Sequence, residues 1–98
     1  MQVWERAMAD IIYYDDTPAT VHDKGYIVRL SDDFIEVCYD DEDGAVCYKG
    51  INHGTGHFEL KAPERNGSAT LHCFPNSHVL EGFWQEGQTK GMWRIWLA

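Results

Sequence analysis

The sequence is short of basic residues. Lysine and arginine number 8 against 16 aspartates and glutamates, a formal net charge of −8. A surface of that sign repels phosphate backbones and anionic lipid, so neither nucleic acid nor a membrane is an expected partner. Long apolar runs are missing too. No segment approaches the roughly 20 apolar residues of a membrane helix. The start, Met1-Gln2-Val3-Trp4-Glu5-Arg6, lacks the basic region and apolar run of a secretory leader. A cytoplasmic protein is the expectation.

Cysteine is scarce: Cys38, Cys47 and Cys73 form an odd set without Cys-x-x-Cys spacing. Reduced, free thiols are expected. A cross-strand bond between Cys38 and Cys47 is sterically possible, but the expected compartment argues against it. Catalytic signatures are lacking as well. No serine sits in a Gly-x-Ser-x-Gly setting and no glycine-rich phosphate loop precedes a helix. Glu59 with Glu81, or Asp32 with Asp33, are nameable acid–base pairs that nothing places in a pocket. A non-enzymatic role without cofactor is expected.

What the chain has is aromatic residues and alternation. Four Trp, five Tyr and four Phe occur in 98 residues, enough to anchor the core of one domain, residues 1–98. From about Gly25 onward, short alternating runs are separated by turn residues: 26–30, 34–39, 45–49, 58–62, 69–74, 79–86 and 91–97. Turns at this spacing mark an antiparallel sandwich or barrel. The connections are too short for crossover helices. Asp43-Gly44 and Asn66-Gly67 are hairpin signals. The expected fold is all-β: an antiparallel up-and-down meander closing into a small barrel.

The alternation assigns a buried face. Inward are Val28, Leu30, Ile35, Val37, Tyr39, Val46, Tyr48, Phe58, Leu60 and Ala62. Ala69, Leu71, Cys73, Leu80, Gly82, Trp84, Trp93, Ile95 and Leu97 continue it. Their neighbours Arg29, Glu36, Lys49, Glu59, Lys61, Thr70, His72, Glu81 and Arg94 face solvent, as in a sheet with one wet face. Folding the last hairpin about Gln88-Thr89 pairs Trp84 with Trp93. Folding the preceding one about Asn76-Ser77 sets Trp84 beside Ala69.

The first twenty residues are read as a segment packing on the barrel. Trp4, Met8, Ile11 and Ile12 fit an amphipathic helix, whereas Ile11-Ile12-Tyr13-Tyr14 alone fits a strand. A helical turn near residues 2–8, plugging one end, is the expectation.

Consecutive hairpins together with Gly82-Phe83-Trp84 resemble the calycin-like β-barrels. The triplet looks like the glycine-x-tryptophan mark of lipocalins, which carry it on their first strand, whereas here it lies near the end. Leu80-Glu81-Gly82-Phe83-Trp84 and Gly91-Met92-Trp93-Arg94-Ile95 look like the closing strands of small uncharacterised bacterial members. That resemblance implies a barrel and no particular ligand.

Tyr39, Tyr48, Phe58, Trp84 and Trp93 are the candidate ligand-binding set, since they face inward. At this length the same rings are enough to fill the core, and an unfilled cavity costs stability. His53 and His57 flank a Gly-Thr-Gly bend, with His72 and Glu59 on the same outer face. Such groups suit zinc or copper chemically, but the spacing matches no metal motif and solvated histidines are the expectation. The acidic turn from Asp40 to Gly44 lacks the ligand pattern of a calcium loop. Ile27, Phe74, Val79, Phe83, Met92 and Trp96 look outward, a candidate contact surface. Two roles follow: a binding module for a small apolar ligand, or an interaction domain that dimerises through the outward aromatics.

Overall fold

Residue-by-residue alternation becomes a closed wall of strands. In a computed structural model, residues 1–41 and 44–97 are described, with the backbone alone for residues 20–24. The strands are β1 (Gln2–Tyr13), β2 (Thr20–Leu30), β3 (Phe34–Asp41), β4 (Gly44–Asn52), β5 (His57–Ala62), β6 (Gly67–His72), β7 (Val79–Glu86) and β8 (Thr89–Trp96). Each pairs antiparallel with the next, and β1 pairs with β8 to close the barrel. A closed ladder leaves no open sheet edge. Among the described residues, a short 3₁₀ turn at Pro63–Arg65 is the only helical element.

The inward face is the one the alternation assigns. Val28, Ile35, Val37, Val46, Tyr48, Leu60, Ala62, Leu71, Leu80 and Ile95 are all buried, and Phe58, Ala69, Trp84, Trp93 and Leu97 nearly so. Leu30, Tyr39 and Cys73 pack against this core but are half-buried. The outer face carries cross-strand ion pairs. Arg29 meets Glu36 at 2.6 Å and Arg94 meets Glu81 at 2.8 Å. A lipid-facing band excludes such charges at its centre. Among the described residues, no helix is long and apolar enough to cross a membrane.

The amino terminus departs from the expected helical turn. It is β1, the strand that closes the barrel, with buried Ala7 and Ala9 on its inner side. Two register shifts against β2, between Trp4 and Ala7 and between Ala7 and Ala9, explain the misreading. A β-bulge inserts a residue and breaks the two-residue period. Trp4 and Ile11, both packed against the core, therefore fall seven residues apart, a helical interval, with Met8 between them on the outer side.

The last hairpin is shifted by two residues from the expected register. Glu86 pairs with Thr89, so the loop is Gly87-Gln88, and Trp93 lies opposite Gly82 rather than Trp84. Gly87 has φ +60° at the first central position, as a type II′ turn requires. A two-residue shift preserves the buried face, and Trp84 still pairs with Ala69. At the β5–β6 connection, Asn66 takes the left-handed conformation at φ 50° and ends a four-residue loop. Asn66-Gly67 is thus not itself a two-residue turn. Asp43 of the other hairpin signal lies outside the described residues.

Cys38 and Cys47 sit directly opposite each other on β3 and β4 and form a disulfide. This corrects the expectation of three free thiols. Antiparallel pairing brings the two β-carbons within bridging reach, which spacing alone left open. Cys73 is free.

Trp93 is 3 % exposed, and its indole nitrogen donates to the Thr70 carbonyl at 3.2 Å. Trp96 is only half-buried, with the Arg94 guanidinium over its ring at 5.7 Å. Trp93→Ala should cost roughly 3–5 kcal/mol in urea denaturation, as a buried aromatic truncation does. Trp96→Ala should cost far less. Equal losses would contradict this division of inner and outer faces.

Candidate functional site

The strand order sends the β1–β2, β3–β4, β5–β6 and β7–β8 connections to one end of the barrel. The other connections and the start of β1 lie at the opposite end. An open cavity of about 610 Å³ occupies the first end. That volume lies within the range of small-molecule sites, roughly 300–1,000 Å³.

Six aromatic rings line the cavity: Tyr13, Tyr26, Tyr39, Tyr48, Trp84 and Trp93. They are arranged as three pairs. Tyr13 meets Trp84 edge-on at 5.3 Å, Tyr26 stacks on Tyr39 at 4.7 Å, and Tyr48 tilts against Trp93 at 5.4 Å. Such pairs contribute about 0.5–1.5 kcal/mol each beyond burial and hold one another in place. The indole N–H of Trp84 donates to the Met92 carbonyl at 3.1 Å. Both buried indoles are therefore satisfied, and their orientation is set by backbone.

Glycine makes room for these rings. A β-carbon on Gly67 would meet the Tyr48 phenol, and one on Gly91 would meet both the Ile12 carbonyl and the Trp84 ring. Glycine inside a strand commonly marks such a close approach.

Among the described residues, three charged side chains, Asp41, Arg65 and Glu86, complete the rim. Arg65 pairs with Asp41 at 2.8 Å, joining the β5–β6 loop to the end of β3. The Tyr48 hydroxyl donates to Glu86 at 2.6 Å. Ile11, Gly87 and Thr89 fill the remaining wall.

Of the expected ligand-binding set, Tyr39, Tyr48, Trp84 and Trp93 come together in this cavity. Phe58 does not line it. It is buried near the β4–β5 connection, at the other end of the barrel. The question of a filled or hollow core has a divided answer. Aliphatic side chains fill the barrel toward Phe58, and rings line the opening.

Tyr13, Tyr26, Asp41, Arg65, Glu86 and Thr89 were missed from the sequence. For four of them a signal existed. The inward series Ile35, Val37, Tyr39 extends to Asp41, and Leu80, Gly82, Trp84 extends to Glu86. Val28 and Leu30 extend back to Tyr26, and Trp93 extends back through Gly91 to Thr89. Polar residues that continue an inward phase mark the mouth of a barrel. Tyr13 ends the inward series Ala7, Ala9, Ile11, which the expected helix at the amino terminus concealed, and Arg65 sits in a loop with no phase.

The histidines assemble as expected on the outer face. The Nδ1 of His57 and Nε2 of His72 are 2.7 Å apart, and Glu59 lies 3.6 Å from His53 and 3.9 Å from His57. A direct hydrogen bond occupies the facing lone pair of the two rings, so they do not converge on a shared point. Among the described residues, no group of three or more histidines, cysteines or acids has the geometry to hold a metal ion. The other nameable acids lie apart from the cavity. Glu81 pairs with Arg94, and Asp32 and Asp33 sit in the exposed β2–β3 turn. Burial pushes the half-buried Cys73 thiol up, which disfavours the thiolate a nucleophile needs. Glu42 and Asp43 of the acidic turn lie outside the described residues.

No protein-family model, curated protein or solved structure matches the chain.

The cavity phenols resist ionisation. Burial pushes the hydroxyls of Tyr26, Tyr39 and Tyr48 well above their ordinary range. Neighbouring Tyr39 adds to the effect on Tyr26, the Glu86 and Asp41 carboxylates to that on Tyr39, and the Glu86 hydrogen bond to that on Tyr48. In the unfolded chain a phenol ionises near pH ~10. The stability tied to these phenols is complete below that pH and is lost as pH rises above it. Each contributes a slope of up to about 1.4 kcal/mol per pH unit there. Chemical denaturation from about pH 9 to about pH 12 should show this decline, and Tyr26→Phe should flatten it by roughly one phenol's share. An unchanged slope in that variant would mean Tyr26 ionises freely in the folded barrel.

Proposed function

We propose that this chain is a soluble, non-enzymatic binding module that holds a small apolar molecule in the aromatic mouth of its barrel. The observation that carries this reading is the open cavity of about 610 Å³ with six aromatic rings in its wall. A largely apolar concavity with a few convergent polar groups is the usual form of a small-molecule site. The rings hold one another, so the site is organised before any ligand enters and binding costs little ordering. The Tyr48 hydroxyl, the one beside a carboxylate in this wall, is held protonated by burial and by that hydrogen bond, which favours binding over catalysis. The simple up-and-down order of strands supports a calycin-like architecture. Its charge of −8 and ion-paired outer face favour a soluble protein.

A second reading is an interaction domain that pairs with its own copy. Phe74 is 83 % exposed, and Ile12 and Met92 stand beside each other on the outer face of β1 and β8. Tyr14 reaches across to Phe83, with ring centroids 6.2 Å apart. The amino-terminal strand therefore widens this apolar face instead of covering it.

The two readings separate in one titration. The neutral fluorophore N-phenyl-1-naphthylamine should bind saturably, at one site per chain. Thr89→Trp, which places a ring in the mouth, should weaken it by about tenfold or more, the equivalent of ~1.4 kcal/mol. Light scattering should meanwhile show a monomer. No saturable binding together with a stable dimer would replace the ligand reading with the self-association one.

A further inference from the structure

Among the described residues, the charged groups that line the mouth are not balanced. Asp41, Arg65 and Glu86 line it. Arg65 is held by Asp41 at 2.8 Å, so that pair is internally neutral. Glu86 is left as the surplus charge. Its Oε2 accepts from the Tyr48 hydroxyl at 2.6 Å, and among the described residues no cation pairs with it. A neutral hydroxyl orients a carboxylate without cancelling its charge.

The wall around Glu86 has the same preference. Tyr and Trp rings carry negative electrostatic potential on their faces and attract cations within about 6 Å of the ring centre. Tyr48 and Trp93 stand together in that wall, and Trp84, on the same strand as Glu86, meets Tyr13 of β1. The whole chain, at −8, adds a field that draws cations and repels anions. An anionic ligand would have to break the Arg65–Asp41 pair and leave two carboxylates beside it. A neutral ligand would leave Glu86 uncompensated in a site from which water has been displaced, which is costly.

We propose that the ligand of this mouth is a small organic cation, an ammonium group carried on an apolar or aromatic body, with the charge seated on Glu86 and the body among the rings of Tyr48, Trp84 and Trp93. This rests on the mouth being a ligand site at all. It adds to that reading the sign of the ligand's charge and the residue that selects it.

Three probes on one skeleton test it: 1-naphthylmethylamine, 1-naphthylmethanol and 1-naphthylacetate. Binding is read from the indole N–H signals of Trp84 and Trp93 by NMR and, in parallel, by calorimetry. The amine should bind about tenfold or more tighter than the alcohol, with the acetate weakest. Glu86→Gln keeps an acceptor for Tyr48 and removes the charge. It should bring the amine down to the affinity of the alcohol without weakening the alcohol, and the unperturbed spectrum reports whether the variant is folded. Equal binding of all three probes, or an amine unaffected by Glu86→Gln, would remove the cation inference and leave the apolar-ligand reading standing. Preference for the acetate would reverse the inference. If none of the three moves the Trp84 and Trp93 signals, both readings fall together.

Discussion

Everything in this molecule depends on the pairing of β1 with β8. Those six register pairs, from Met8–Trp96 to Tyr13–Gly91, turn an open meander into a barrel. Without them two long edges would expose unpaired backbone groups, and the inner face would be open to water along a seam. Closure also fixes the circumference. At eight strands the interior is just wide enough to be filled by side chains or to hold one small ligand. Which of these happens at a given height is decided by the side chains present there. Aliphatic residues and Phe58 close the barrel at one end, and paired rings leave it open at the other.

The open end is rigid for reasons that combine local and long-range terms. Two of the ring pairs join strands that are not neighbours in sequence, β1 with β7 and β4 with β8, and the third joins β2 to β3. The Arg65–Asp41 and Tyr48–Glu86 contacts do the same for the polar rim. Glycines opposite the rings provide space that any side chain would take. The Cys38–Cys47 bond ties β3 to β4 from the outer face. A site held this way retains its shape without ligand, and it concentrates aromatic surface and one surplus carboxylate in the same opening. The proposed binding role and its preference for a cation rest on that combination.

The outer surface presents a contrast. Over β2, β3 and β4 it is a lattice of charges, with Glu36 between Arg29 and Lys49. Over β1, β7 and β8 it is more apolar. The histidines near the β4–β5 bend form a third region, bonded among themselves. These regions sit on one continuous sheet, so their differences come from side chains alone and not from changes in the backbone.

Period-two alternation was enough to determine the meander, the identity of the buried face and four of the rings in the mouth. The reason is that a strand with one wet face must repeat every two residues, and each connection after β3 carries or borders a glycine or asparagine. Errors of two residues, as at Gly87-Gln88, leave that face unchanged. Tertiary structure alone decided the rest. One residue inserted in β1 between Trp4 and Ala7 disguised a strand as a helix, because it breaks the local period. Opposition across β3 and β4 made a disulfide of Cys38 and Cys47. Most of all, closure brought Asp41, Arg65 and Glu86 to one rim with Tyr13 and Tyr26. No local pattern encodes that meeting, since it depends on where the ends of different strands fall when the sheet curls shut.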